Sequence, residues 1–459
     1  MFEGLGAFVF RYRWAVLVSS GALLVLAVAV LVRGGSLISG VIHGLEAEKA
    51  REVVAQVTGR DEETTVVAVL HAEGMDARDP AFTDAARAAL APLHDDPRVV
   101  SVISPEDLPE SYAAALVDGP GGTELAIIAM AGDSREALAA YPAVRAELHS
   151  DRLSIDCTGR IPYVRDLDRI LEHDLLRAEM VSLPLALLVL LYVFRTFTAA
   201  TLPVGVGALA VVGGVAIVTA LSRVTEIAQY TINVCSLIGT GIAIDYSLFI
   251  VSRYREELAG GKGFGDALSR AMATAGRVVG FSGVAVASGL AGLLFFEGSY
   301  LFAMGVGGII VVTLGVVFAL TFLPALLAVL GPRIDAGRLP RPRPRTVGLW
   351  HRTALRVMRR PLLFLLPTLG LLLTMGVPFL HIRLAAADVR VLPDEAEARR
   401  GYELLRVHFP DRAANQIVAA VRFPGSPMDP ERMTALRALE ARMAALPGVR
   451  QVDGPTSDP

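Results

Sequence analysis

The chain has 459 residues, 53% of them hydrophobic, and a mean hydropathy of +0.52. A soluble domain is usually about 45–50% apolar with glycine counted in. Here the apolar residues gather in long runs, which excludes an ordinary soluble globule and marks a polytopic α-helical membrane protein. The net charge of −3 says little by itself, and no nucleic-acid partner is expected. Cys157 falls in a soluble segment and Cys235 in a membrane span, which argues against a bridge between the two.

Residues 1–33 are predicted to form an uncleaved anchor. Their apolar run, 14–32, is about 19 residues long and has no convincing cleavage site before Arg33. Residues 34–178 are far too long for a loop. A helix near 45–58 is followed by a strand at Thr64–His71, a helix at Pro80–His94 and a strand at Arg98–Ser104. A second set follows: a strand at Thr123–Ala131, a helix at Ser134–Ser150 and a strand at Leu153–Cys157. Asp118-Gly-Pro-Gly-Gly122 separates the two sets. Strand–helix–strand repeated with short connections predicts an α+β domain of the split βαβ, ferredoxin-like kind, with helices on one face of a mixed sheet. From Tyr163 to Met180 a helix of mixed charge runs directly into the next span, as a passive stalk or as a transmitter of motion.

Further runs able to cross a membrane lie at 179–195, 199–221, 229–252, 276–296 and 300–330, predicting a five-helix bundle over 179–330. Residues 331–360 form an Arg/Pro-rich linker, and a seventh span covers 361–381. Arg11 and Arg13, then Arg253, Arg255, Lys262, Arg270 and Arg277, then nine arginines against Asp335 in the linker, mark three cytoplasmic segments. The N-terminus is therefore expected inside and 34–178 outside. Lys49 and Lys262 are the only lysines, a bias towards arginine that suggests a GC-rich genome and hence a bacterial plasma membrane.

The chain begins to repeat itself. Val66-Val-Ala-Val-Leu-His-Ala-Glu-Gly74 resembles Ile417-Val-Ala-Ala-Val-Arg-Phe-Pro-Gly425, and Pro97–Pro105 resembles Pro447–Pro455, both at an offset of about 350 residues. A second copy of anchor plus outer domain is expected to start near 347, with 382–459 an incomplete second outer domain. A whole second copy would add about five further spans, supplied in cis or in trans.

The residue that stands out is Asp245, in an apolar run from Gln229 to Ser252 without a basic neighbour. A bare carboxylate at that depth costs at least about 2.5–3.5 kcal/mol. Such a group carries protons, binds an ion or pairs with a partner; otherwise it is a neutral acid bonded to a neighbouring helix. Around it, Gly241-Ile-Ala-Ile-Asp245-Tyr246-Ser-Leu-Phe-Ile-Val-Ser-Arg-Tyr-Arg-Glu-Glu257 resembles the fourth-span signature of the MMPL (mycobacterial membrane protein large) transporters of the resistance–nodulation–division superfamily. The order of spans and outer domains resembles that family too. The resemblance implies proton-driven export of lipids or other hydrophobic compounds, with Asp245 as proton carrier and Tyr246 as its hydrogen-bonding companion. It also implies a matching pair on a tenth span, which these residues do not include.

Gly241 lies one turn before Asp245, where a neighbouring helix can approach closely, and Gly239 lies two turns before Tyr246. Ser236, Thr240, Ser247, Ser282 and Ser288 could line a water path to the acid, or bond back to their own backbone. Arg253, Arg255, Glu256 and Glu257 are expected to anchor the span at the inner interface. A non-transporting lipid-binding or regulatory subunit, with a sterol-sensing-like core, is the alternative. No paired carboxylates, nucleophile elbow or phosphate loop suggests an enzyme. No cofactor is expected, and the eight histidines show no metal-ligand spacing; His94 and His149 each close an amphipathic stretch. A homo-oligomer is left open.

Overall fold

The computed structural model describes residues 1–35, 64–225, 227–337, 349–381, 388–412, 421–426 and 428–449, with isolated positions between them. The expected helix near 45–58 and the repeated strand beginning at Ile417 lie largely outside the described residues. Seven described helices are long and apolar enough to cross a membrane.

A short helix, α1 (Phe2–Arg11), precedes the first of these, α2 (Arg13–Arg33). The outer segment then builds a sheet. Strand β1 (Thr65–His71) alternates its side chains between two faces, as a strand must. Val66, Ala68 and Leu70 enter one core, while Val67 and Val69 face another. Helix α3 (Pro80–His94) starts with proline at its first position, where the missing N–H costs nothing. It leads to β2 (Val99–Ile103), the two-residue β3 (Val117–Asp118) and β4 (Thr123–Met130). Helix α4 (Ser134–Glu147) opens on a capping box: the Asp133 carboxylate accepts from the N–H groups of Arg135 and Glu136 at 2.8 and 2.9 Å, and Glu136 accepts from the Asp133 N–H. Strand β5 (Ser154–Thr158) completes the set.

The strand order is β2-β4-β1-β5, with β3 on β4, and every hydrogen-bonded pairing is antiparallel. The expected mixed sheet is thereby corrected. Each helix-connected pair of strands is split by a strand from the other unit, so no two parallel strands adjoin. Phe82, Leu90 and Leu93 of α3 and Tyr141 and Val144 of α4 fill one face.

The other face is covered from far along the chain. Helix 397–408, beyond the seventh span, lies across β5 and the start of the stalk. Gly401 of that helix sits against the backbone of Asp156 and Cys157, close enough that a side chain would press on both. Leu404, Leu405 and Phe409 pack on Val69, Leu116 and Leu125. The Glu397 carboxylate pairs with Arg145 at 2.5 Å and accepts the Cys157 N–H at 3.0 Å, and Arg400 pairs with Asp156 at 2.7 Å.

From Gly159, in the positive-φ region at +107°, the chain turns into one continuous 35-residue helix, α5 (Arg160–Phe194). The stalk and the second span are thus a single rod of about 52 Å. Helices α6 (Phe197–Leu221), α7 (Tyr230–Ala259) and, further along, Tyr300–Leu320 form the centre of the bundle and are the most buried of the spans. Small residues set their spacing: Gly214 of α6 rests on Val311, and Gly315 faces Ala243 of α7, where an added side-chain carbon would be in ordinary contact at 3.7 Å. Helix α8 (Phe264–Ala271) passes through a wide turn at Met272–Gly276 into α9 (Arg277–Ala291), and α1 packs on α8 through Gly6. The sixth span is not one helix. It breaks at Thr321 into α10 (Tyr300–Leu320) and α11 (Phe322–Leu330), because Pro324 has no N–H to give the Leu320 carbonyl. Then follow α12 (Leu349–Arg359), α13 (Pro361–Gly376), with no buried residue, α14 (Glu397–His408), which is the helix on the outer sheet, and α15 (Pro430–Ala444).

Candidate functional site

Asp245 lies at the middle of α7, about 22 Å along the axis from Tyr230 and about 21 Å from Ala259. It is exposed, on one strip with Leu237, Gly241 and Phe249, which recur every fourth residue and are exposed as well. No side chain of the described residues forms a hydrogen bond or ion pair with it. A carboxyl is thus presented on an open helix face, at mid-span, among apolar neighbours.

Tyr246 points elsewhere. It is buried in the bundle with Ile250, Val251, Tyr254 and Phe318, and its hydroxyl lies 3.4 Å from the Ser282 Oγ on α9. The two members of the sequence pair therefore serve different surfaces: Asp245 the open one, Tyr246 the contact between α7 and α9.

The two glycines also divide. An added side chain at Gly239 would overlap the Val311 side chain of α10, so Gly239 is where α7 and α10 meet. Nothing lies within 4 Å of an added carbon at Gly241. The close helix approach expected there is not made by any described residue; Gly241 instead leaves the strip beside Asp245 smooth.

The polar residues expected to lead to the acid do not cluster around it. Ser236, Thr240 and Ser247 share the α7 face opposite Asp245, since nine residues from Ser236 turn the helix by about half a revolution beyond two full turns. The Ser236 hydroxyl donates to the Glu179 carboxylate of α5, a contact between the stalk and the fourth span. Thr240 lies with its backbone against Gly207 of α6. Ser247 is fully buried, and its hydroxyl has no hydrogen-bond partner among the described residues. Ser282 reaches Tyr246, while Ser288 is exposed on α9.

At the Arg-rich end of α7 the charges are paired. Arg253 bonds Glu256 at 2.9 Å and Glu257 at 2.5 Å, Lys262 also bonds Glu257, and Arg255 bonds Asp335 at 2.9 Å and the Phe194 carbonyl at 2.7 Å. Arg255 thereby ties the ends of three spans together. The Glu179 contact had no signal in sequence, its partners being 57 residues apart. No group of three or more His, Cys, Asp and Glu side chains suited to a metal ion occurs among the described residues.

No described helix covers the strip at Gly241, and comparison with other proteins shows how much longer the relatives of this chain are. The model of the MMPL family matches residues 42–364. The chain is 30% identical over 460 residues to the trehalose monomycolate exporter MmpL3 of Mycobacterium tuberculosis, covering 92% of this chain and 48% of that protein. It is 37% identical over 256 residues to the membrane protein SCO6666 of Streptomyces coelicolor, covering 56% and 36%. With the mycolic acid-containing lipids exporter MmpL11 of Mycolicibacterium smegmatis it shares 32% identity over 292 residues, covering 62% and 30%. The chain thus spans about half the length, or less, of these curated relatives. With more than two thirds of its residues matched by one family model, and its seven membrane-crossing helices, the chain belongs to the MMPL family of membrane transport proteins.

Proposed function

We propose that this chain is part of a proton-motive-force-driven exporter of lipids or other hydrophobic compounds, with Asp245 as the proton carrier. The single observation that supports it is the placement of Asp245: mid-span, on an exposed strip, and without a charge or hydrogen-bond partner among the described residues. A carboxyl in that setting can take up or give off a proton only through whatever helix or water file covers it. The occupant of the strip is a span from a second half, in cis or in trans. Tyr246 keeps α7 and α9 in register beside the carrier, and Gly241 lets the covering helix approach. Moving one charge through the membrane potential supplies about 2.3 kcal/mol per 100 mV.

In this reading residues 1–33 anchor the chain and 34–178 form an outer domain whose strand order is that of the ferredoxin-like split βαβ fold. Residues 179–330 form the proton-conducting bundle, 331–360 a cytoplasmic linker and 361–381 the seventh span. Residues 382–459 begin a second outer domain. The N-terminus is cytoplasmic and the membrane is the bacterial plasma membrane. The similarity to MmpL3, a trehalose monomycolate exporter, and MmpL11, an exporter of mycolic acid-containing lipids, supports a lipid cargo.

The test is Asp245→Asn, in cells whose own copy is deleted, with lipid export followed by labelling and the amount of inserted protein measured beside it. Export should be abolished at unchanged insertion. Export at the normal rate would refute the proton-carrier role, and lipid binding that persists without any effect of a proton gradient would favour a non-transporting subunit.

A further inference from the structure

A second polar constellation lies outside the membrane bundle, where α14 ends on the outer sheet. His71 of β1, Thr123 of β4 and Asp118 of β3 stand directly opposite one another across three adjacent strands, and so share one face. His408, the last residue of α14, covers this row. Its Nδ1 is 2.7 Å from the Asp118 carboxylate, and its ring centre is 5.4 Å from that of His71, with the planes tilted by 38°.

The hydrogen-bond partners assign a tautomer to each ring. The Thr123 hydroxyl donates its one hydrogen to the Gly121 carbonyl at 3.0 Å. It can therefore only accept at the His71 Nδ1, 2.9 Å away, so that Nδ1 is protonated. The Asp118 carboxylate, whose other oxygen accepts the Gly121 N–H at 3.2 Å, faces the His408 Nδ1. An ionised carboxylate only accepts, so the His408 Nδ1 donates. In the neutral form of each ring Nε2 is then a bare lone pair, and neither Nε2 has a hydrogen-bond partner among the described residues.

We propose that His71 and His408 form a binding site for a divalent transition-metal ion of the zinc type, which joins α14 to the outer sheet. An imidazole whose Nδ1–H is held by an oxygen acceptor while Nε2 is free is the form in which histidine binds metals; the acceptor fixes the tautomer and raises the basicity of the ligand. Two rings bound through Nε2 to one tetrahedral ion, at about 2.0–2.1 Å each, have centres about 5 Å apart. The two rings already stand near that separation. Gly121 makes the arrangement fit, because a side chain there would overlap both the His408 Nδ1 and the Asp118 carboxylate. The Asp118 carboxylate supplies a negative charge directly beside the pair, and the Asp76 carboxylate accepts the backbone N–H of Arg78 at 2.8 Å. Two protein ligands leave two positions for water, so the site is of modest affinity and reversible.

The test uses the tag-free chain in detergent, titrated with Zn(II) by calorimetry and loaded with Cu(II) for electron paramagnetic resonance. Wild type should bind one zinc ion with a micromolar dissociation constant and show two nitrogen ligands on copper. His71→Gln and His408→Gln should each weaken zinc binding at least about tenfold and leave one nitrogen, and Asp118→Asn, through the histidine it orients, should weaken it by about tenfold. His149→Gln, at an exposed histidine elsewhere on the domain, should change nothing. The copper spectrum of the wild type reads the site without any substitution, so fewer than two nitrogens there would overturn the proposal. So would zinc binding that both glutamine variants leave intact.

Discussion

Glu124 lies within β4, opposite Leu70 of β1 and Val117 of β3, and only 4% of it is exposed. Burial, and secondly the nearby charge of Glu106, raises its carboxyl from 4.5 to about 7. Between those values the folded domain keeps the proton while the unfolded chain has lost it. The folded state then binds more protons, so stability falls as pH rises from about 4.5 and levels off above about 7. The size of the loss is about 3 kcal/mol, at 1.36 kcal/mol for each pH unit between the two values. Glu124→Gln removes the titration and keeps the shape. Hydrogen exchange of the amides of β1 and β4, measured from pH 4.5 to 8, should find the variant equal to wild type at the acid end. At pH 8 it should be more protected by up to about two orders of magnitude, since each 1.4 kcal/mol is a factor of ten. A gap that does not change with pH, or a wild type better protected at pH 8, would refute the assignment of Glu124 as a buried acid penalised for its charge.

Gly239→Ala should cost about 1–3 kcal/mol, because the new methyl overlaps Val311, whereas Gly241→Ala should leave folding unchanged; detergent melting curves of the two variants make the comparison. Ser247→Ala should raise the melting temperature, the buried unpartnered hydroxyl being worth about 1 kcal/mol of penalty; a stable variant that no longer exports would instead place Ser247 on the proton route. Glu397→Ala leaves Arg145 with only the Leu148 and Ile155 carbonyls and the Cys157 N–H without its acceptor, and should cost about 1–3 kcal/mol, read as faster proteolysis within 388–412.

The membrane spans were legible in the sequence because an apolar run of that length has few other uses. Asp245 was legible for the opposite reason, as one residue that contradicts its surroundings. Helix α3 starts at Pro80 and ends at His94 as its periodicity predicts, and α4 begins at the Ser134 that follows its capping aspartate. The sense of the strand pairing, expected to be mixed and found antiparallel, was not legible: it depends on which faces pack together, not on local pattern. Nor was the docking of α14, whose contacts to Cys157 and Asp156 span more than 200 positions. The serine path fails on simple geometry. Over the nine residues from Ser236 to Asp245 the helix turns one to the far side of the other.

The seating of α14 on the first outer sheet also bears on how the protein can be divided. The stretch 338–348, which connects the first six spans to the rest, is not what holds the two parts together outside the membrane; Glu397, Arg400 and Phe409 already do so. A protease nick or a gene split in that stretch should yield two polypeptides that still purify as one. Conversely, α14 cannot leave the outer sheet without uncovering the core that Leu404, Leu405 and Phe409 close over Val69, Leu116 and Leu125.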